Sequence, residues 1–230
     1  LVAVIGGDGT LNEAINGLEA DRPLALFPLG TGNVLAKELR LPRRAAAFCD
    51  AVAKGRERRL DLATVGGRTF VSMVGAGLDA QVASELAARR GGAIRMADYV
   101  RPLVRCMARS RSSRIAVSVD GGEPMEAEGF VLVSNVRSYG GPFVITPQAA
   151  PDDGLLDVCA LRHGGFFATL WSALAFTLGC QRLSGAHYAR GRSIHLTSSD
   201  TVPYQVDGDP AGHLPASIEL LDRRLRFIIP

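Results

Sequence analysis

The sequence predicts an α/β N-terminal domain followed by a β-sandwich C-terminal domain. Three observations carry that expectation. The first stretch alternates short apolar runs with helix-period segments, the pattern of a parallel sheet with helices packed on it. From about Glu57 the texture changes to short β-rich segments separated by turn residues, the pattern of an antiparallel sandwich or barrel. Composition supplies material for more than one core: 47% of the 230 residues are hydrophobic and 21% are charged, which is ordinary globular usage.

Leu1 to Ile5 reads as a strand, and its run Val2-Ala3-Val4-Ile5 is continuously apolar, as in strands buried on both faces. Thr10 to about Ala20 reads as a helix, with Thr10 as N-cap and Glu13 completing a capping box. Leu24 to Phe27, between Pro23 and Pro28, is a second strand. Helices are expected from about Asn33 to Leu39, stopped before Pro42, and from about Arg43 to Lys54, ended by Gly55. Strands are then expected at 59–65, 69–74, 114–119, 129–134, 155–161, 193–197, 202–206, 217–221 and 225–229. Helical stretches interrupt them at about 79–109 and 165–180. The domains expected are 1–57 (α/β), 58–215 (β-sandwich) and 216–230 (C-terminal strands packing back on the first domain). Because Leu1 opens directly on a core-type strand, the chain reads as a fragment whose start lies further upstream.

Bulk properties exclude some classes. A net charge of +3 leaves no broad nucleic-acid footprint. Cys49, Cys106, Cys159 and Cys180 are widely spaced with no Cys-x-x-Cys pair, which argues against a disulfide framework or zinc site and suits a reducing cytoplasm. No signal peptide is visible. The longest apolar run, Phe166 to Leu178, is too short to span a bilayer.

Chemistry concentrates in the turns. Gly6-Gly7-Asp8-Gly9-Thr10 joins a strand to a helix, where glycines let the backbone approach an anion and free N–H groups point at it. Asp8 sits inside the turn, within reach of Mg²⁺ or its water shell. Pro28-Leu29-Gly30-Thr31-Gly32-Asn33 is a second such turn. At the ends of neighbouring parallel strands the two face one crevice. Thr31 and Asn33 can donate to phosphate oxygens, and Asn33 can also cap its helix. Asp152 and Asp153 are adjacent like charges, which need a cation or basic partner unless the turn is simply solvated; Mg²⁺ prefers such hard oxygen ligands. Asp207-Gly208, read alone, is an ordinary hairpin turn.

These residues, taken with Asn12-Glu13, Asp61-Leu62, Gly75-Ala76-Gly77-Leu78-Asp79-Ala80, Asn135 with Tyr139-Gly140-Gly141 and Ile145-Thr146-Pro147, Asp152 to Asp157, and Val206-Asp207-Gly208-Asp209, resemble the diacylglycerol kinase catalytic-domain family. That family includes bacterial lipid kinases and sphingosine kinases. The Gly-Gly-Asp-Gly-Thr signature alone is shared with NAD kinases; the motifs further along, in this order, make the resemblance specific. It implies a Rossmann-like N-terminal domain of the NAD kinase/diacylglycerol kinase type and an ATP-dependent lipid kinase. Nucleotide would lie on Gly6, Gly7, Asp8, Gly9, Thr10, Asn12, Glu13, Gly30, Thr31, Gly32 and Asn33. Asp207 would be the general base, with Asp8 beside it. Mg²⁺ would sit on the Asp153 carboxylate and the Leu155 carbonyl, next to Asp152. Asp61 and Asp79 would be supporting carboxylates. One departure from the family pattern stands out: Val34 follows Asn33 where many bacterial members carry aspartate. The family's first strand–helix–strand–helix unit would be expected upstream of Leu1.

The partners expected are a lipid substrate in a membrane and an anionic membrane surface, reached by a basic stripe of Arg89, Arg90, Arg95, Arg101, Arg105, Arg109, Arg111 and Arg114. No nucleic acid is expected, and a homodimer stays open. Phe166 to Leu178 reads as core or as an acyl-chain channel. The location expected is cytoplasmic with peripheral membrane association. The alternatives are another small-molecule kinase of the NAD kinase-like superfamily, or a nucleotide- or lipid-binding protein without catalysis.

Overall fold

The structure, a computed structural model, describes residues 1–18, 22–88, 96–109, 113–140 and 143–230. The chain opens with β1 (Val2–Gly6), α1 (Asp8–Gly17) and β2 (Leu24–Pro28), and β1 and β2 pair in parallel from Val2↔Leu24 to Gly6↔Pro28. A parallel pair needs a crossover helix. That helix is α1, which turns Leu11, Asn12 and Ile15 inward. α2 (Val34–Glu38) and α3 (Ala45–Lys54) follow. Phe48 of α3 packs on Phe27 of β2, with ring centroids 5.4 Å apart, and Gly55 ends α3 in the left-handed region that glycine favours.

The remaining elements are β3 (Glu57–Val65), β4 (Arg68–Phe70), β5 (Met73–Gly77), α4 (Leu78–Ala87), α5 (Met96–Arg109), β6 (Arg114–Val119), β7 (Met125–Glu128), β8 (Phe130–Ser134), β9 (Ser138–Tyr139), β10 (Phe143–Val144), β11 (Leu156–Leu161), α6 (Phe166–Thr177), a 3₁₀ turn at Gln181–Leu183, β12 (Ala186–Gly191), β13 (Ser193–Thr197), β14 (Pro203–Val206), β15 (Asp209–His213) and β16 (Ala216–Ile228). An 8-stranded sheet runs β1-β2-β16-β13-β6-β7, with β3 on β16 and β4 on β3. A 6-stranded antiparallel sheet runs β12-β11-β8-β5-β14-β15.

The two sheets face each other over one core. Phe70, Ile115, Val117, Ile194 and Ile218 come from the first sheet, and Val74, Val131, Val133, Val158 and Val206 from the second. Each such side chain contributes about 1.5–3 kcal/mol when fully buried. A second core joins α1, α2, β1 and β2 to Leu60, Leu132, Leu161 and Phe227. β16 belongs to both. Its first half pairs with β13 and β3, and Phe227 near its end pairs in parallel with Leu24 of β2.

Several sequence expectations are corrected. Thr10 does not cap the first helix. Gly7 is the N-cap and the helix starts at Asp8, which puts a negative charge in the first turn, while Thr10 packs its side chain against Gly6. Asn33 precedes α2 but makes no cap bond: its amide donates to the Gly30 carbonyl, and Asp8 Oδ1 accepts the Val34 N–H instead at 2.9 Å. The strand expected at 69–74 is broken at Val71–Ser72 into β4 and β5. The strands expected at 217–221 and 225–229 are one strand, β16, irregular between Leu220 and Arg224. β7, β9, β10, β12 and β15 are additional; β12, the sequence Ala-His-Tyr-Ala-Arg-Gly, lacks the apolar run of an inner strand because it lies at a sheet edge. The helical stretch at 79–109 contains α4 and α5, and residues 89–95 between them lie outside the described residues.

Candidate active site

The two glycine turns stand side by side at the C-terminal ends of β1 and β2. A Cβ on Gly30 would lie 2.5 Å from Gly7 Cα, so the backbones approach to a distance that only glycine allows. Gly7, Asp8, Gly9, Gly30, Thr31 and Gly32 line one wall of a crevice of about 400 Å³. The opposite wall comes from the sandwich: Ser72, Met73, Asp79, Gln205, Asp207, Gly208 and Asp209, with Tyr139 and Gly140 at the rim. Val82, Ala83, Leu86 and Ala87 of α4 make one side apolar.

Asp207 is held from several sides. Asn12 donates from Nδ2 to its Oδ2 at 2.8 Å. The Met73 and Ser72 N–H groups donate to Oδ1 at 2.8 and 3.2 Å, and the Val71 N–H reaches Oδ2 at 3.5 Å. These three amides are the ones freed by the break between β4 and β5. A strand continuing through Val71 and Ser72 would spend them on a ladder; the turn spends them on a carboxylate. Burial pushes the Asp207 carboxyl up to about 6, against the pull of the Met73 and Asn12 donors and helped by the nearby negative charge of Asp8. Burial also raises Asp8, against the Val34 N–H.

Asp79 lies in the first turn of α4 and lines the crevice. Gly75 is what makes room, because a Cβ there would fall 1.6 Å from Asp79 Oδ2. Gln205 Nε2 donates to Asp79 Oδ2 at 2.6 Å and the Tyr139 hydroxyl donates to Oδ1. Gln205 Oε1 in turn accepts the Gly208 N–H at 2.5 Å. Asp79 is thereby tied to the turn that carries Asp207. Burial raises its carboxyl, with Tyr139 and Gln205 opposing.

Other expected residues have different places. Asn12 is buried: Nδ2 serves Asp207 and the Thr69 carbonyl, and Oδ1 accepts from Arg68 Nε at 2.9 Å. Gly6, Thr10 and Glu13 do not line the crevice; Glu13 is exposed, 3.9 Å from Arg68. Asp61 is not brought to the crevice either. It accepts the Gly154 N–H at 2.6 Å and pairs with Arg224 at 2.7 Å. Asp152 takes a bidentate grip from Arg58 at 2.7 Å on both oxygens, which holds its carboxyl below the usual range. Asp153 pairs with Arg190 and accepts the Leu155 N–H at 3.1 Å. Where the sequence left a cation or a basic partner open, the structure supplies the basic partner. Arg58 and Arg190 thus occupy the two carboxylates in this structure, and among the described residues no three His, Cys, Asp or Glu side chains form a metal cluster. The crevice does fit a nucleotide-borne Mg²⁺, which needs only one or two carboxylates beside phosphate oxygens; Asp8 stands next to both turns.

Arg68 was not singled out from the sequence, and Asp209 stood there only as the last residue of the Val206–Asp209 motif, without a role of its own. Asp209 lines the crevice 3.5 Å from Arg68. Its signal was its place two residues after Asp207, across a tight turn that returns it to the same side.

Paired glycine turns at the ends of parallel strands face a half-buried carboxylate across a crevice, an arrangement suited to phosphoryl transfer. The comparisons narrow this. Residues 72–229 match the YegS C-terminal NAD kinase beta sandwich-like domain, and residues 1–65 match the diacylglycerol kinase catalytic domain. A diacylglycerol kinase of Mycobacterium tuberculosis is 30% identical over 238 residues, covering 100% of this chain and 76% of that protein. One of Bacillus subtilis is 26% identical over 240 residues, covering 100% and 78%. A solved Bacillus anthracis protein, provisionally described as a diacylglycerol kinase, superposes with a TM-score of 0.78 at 26% identity over 99% of this chain and 76% of that one. An Archaeoglobus fulgidus NAD kinase solved in complex with ATP shares the fold, with a TM-score of 0.54 at 14% identity, over 98% of this chain and 76% of that one. The chain belongs to the diacylglycerol kinase family of lipid kinases, phosphotransferases with an alcohol acceptor.

Proposed function

We propose that this chain transfers the γ-phosphoryl group of ATP to the hydroxyl of diacylglycerol or a closely related lipid. The observation that carries the reading is the half-buried Asp207 carboxylate, held by Asn12 and three backbone N–H groups and facing the glycine turns across the crevice. In phosphoryl transfer the protein mainly positions groups and stabilises charge, and one residue takes the proton of the attacking hydroxyl. The ATP phosphates lie along Gly7 to Gly9 and Gly30 to Gly32, where backbone can approach closely. Asp207 accepts the lipid hydroxyl proton as that oxygen bonds to the γ-phosphorus, and the bond from phosphorus to the bridging oxygen breaks to release ADP. Mg²⁺ arriving with the nucleotide would be held by Asp8 and phosphate oxygens, and supplies positive charge against the phosphoryl oxygens. Asp79 and Gln205 fix the turn that aims Asp207. The apolar side formed by Val82, Ala83, Leu86 and Ala87 suits the acyl end of a lipid acceptor.

The test is a competition. The protein is incubated with radiolabelled ATP and Mg²⁺ together with diacylglycerol vesicles and NAD, and the products are separated. Label in a phospholipid is the expected result. Label in NADP, or ATP binding without label in any lipid, would overturn the reading.

A further inference from the structure

α6 is anomalous among the described helices. Its sequence, Phe-Phe-Ala-Thr-Leu-Trp-Ser-Ala-Leu-Ala-Phe-Thr, contains no charged residue, yet it is not core. Ser172, Ala175 and Phe176 bury one face. The opposite face leaves Phe167 82%, Trp171 57% and Leu178 67% exposed, with Leu170 and Leu174 between them. A helix on a water-facing surface ordinarily turns charged residues outward. The patch continues beyond α6: Leu183 on the 3₁₀ turn is exposed, and so are Val100, Leu103 and Val104 of α5, which touches α6.

Charge around the patch is mainly positive, with Asp98 on α5 and Glu128, which accepts the Gly164 N–H just before α6 at 2.9 Å, as its acidic neighbours. No Asp or Glu occurs between Asp157 and Asp200, whereas Arg162 and Arg182 flank α6 and are exposed. Arg101 is exposed on α5, where Asp98 is the one acidic residue. The surface is also braced. Trp171 donates from Nε1 to the Leu183 carbonyl at 2.8 Å, and the Ser172 hydroxyl donates to the Ser184 carbonyl at 2.7 Å. It adjoins the crevice. Gln181 donates to the Val144 carbonyl of β10 at 3.0 Å, and β10 pairs with β9, whose Tyr139 stands at the crevice rim. On the other side α5 packs on α4, which forms the crevice's apolar side.

We propose that the exposed face of α6, with Leu183 and the adjoining face of α5, seats the protein on an anionic lipid bilayer beside the mouth of the crevice. Phe167, Leu170, Trp171, Leu174 and Leu178 enter the boundary between headgroups and acyl chains, where an amphipathic helix with an aromatic anchor is stable. Arg101, Arg162 and Arg182 meet the headgroups. This differs from the sequence expectation, which gave the membrane contact to the arginine stripe. Arg105 of that stripe pairs with Glu85 at 3.6 Å; Arg89, Arg90, Arg95 and Arg111 lie outside the described residues, as does the side chain of Arg109. The choice of a lipid partner rests on the lipid-kinase reading above; the surface itself does not.

Trp171 is the one tryptophan in the 230 residues, so it reports directly. With phosphatidylcholine vesicles carrying one-third phosphatidylglycerol, its emission shifts to the blue and the full chain floats with the vesicles. A Phe167→Ser/Leu170→Ser/Leu174→Ser variant loses binding by about tenfold or more, while keeping its rate on a short-chain diacylglycerol dissolved in water. Unshifted emission, or equal vesicle binding by the variant, would overturn the proposal. So would a variant that turns a dimer into a monomer with vesicle binding intact, which would make the face a contact between copies. If the chain phosphorylates no diacylglycerol but its vesicle binding still depends on these side chains, the catalytic reading fails and the docking surface stands.

Discussion

Asp207 combines two opposed influences in one side chain. Partial burial favours the protonated acid, and the donors from Asn12 and Val71 to Met73 favour the carboxylate. The outcome, about 6, is well placed for a base working near neutrality. A base accepts a proton only when ionised. Below about pH 6, kcat therefore falls roughly tenfold per pH unit, and above it the profile flattens; a kcat–pH profile checks the midpoint. Asp207→Asn removes the base but keeps the shape of the side chain. It is expected to lower kcat by at least about 10²-fold while ATP binding, measured by calorimetry, survives. Little of this was legible from the residue itself. Asp-Gly is an ordinary turn dipeptide, and the donors come from positions far away in sequence. The resemblance places Asn12 among the nucleotide-binding residues; its partner in the structure, Asp207, is separated from it by most of the chain.

At the scale of elements, the glycine turns were legible and the break between β4 and β5 was not. Gly7 and Gly30 are written into the sequence because no other residue tolerates the approach of the two backbones. Gly30→Ala must push the turns apart, at a cost of about 1–3 kcal/mol, and is expected to raise KM for ATP more than it lowers Tm would explain. Steady-state kinetics at a temperature where both proteins are folded separates the two effects. By contrast, Thr69 to Val74 looks like one strand, and what interrupts it is a distant carboxylate. The turn at 151–154 presents the same difficulty. Its carboxylates take their basic partners from distant strands, Arg58 of β3 and Arg190 of β12, while Arg224 of β16 pairs with the neighbouring Asp61. Arg224→Met leaves the buried Asp61 carboxylate without its cation. A loss of about 1.5–3 kcal/mol in chemical denaturation is expected.

At the scale of the whole molecule, β16 carries the connection between the two cores. It is a 13-residue strand whose first half closes the sandwich and whose second half meets β2. Phe227, fully buried in the N-terminal core, pairs with Leu24 and Arg58. Phe227→Ala is expected to cost about 3–5 kcal/mol and to lower the unfolding of both cores together. Scanning calorimetry would display this as one transition; two separated transitions would mean that the cores unfold independently. From sequence, the last residues could be read as strands turning back on the first part, but not as a single continuous strand, because the polar run Asp222-Arg223-Arg224 resembles a turn.

That continuity bears on motion. Many enzymes shut a cleft by swinging two bodies about a joint where few bonds cross. Here β3 and β16 pass from one core to the other as a paired ribbon, and a ribbon resists flexing wherever its rungs are intact. The rungs are interrupted between Leu220 and Arg224, so bending concentrates at that point. If the crevice closes over a substrate, the expected motion is a small flexion about that one place in the ribbon, not a wide swing of separate bodies.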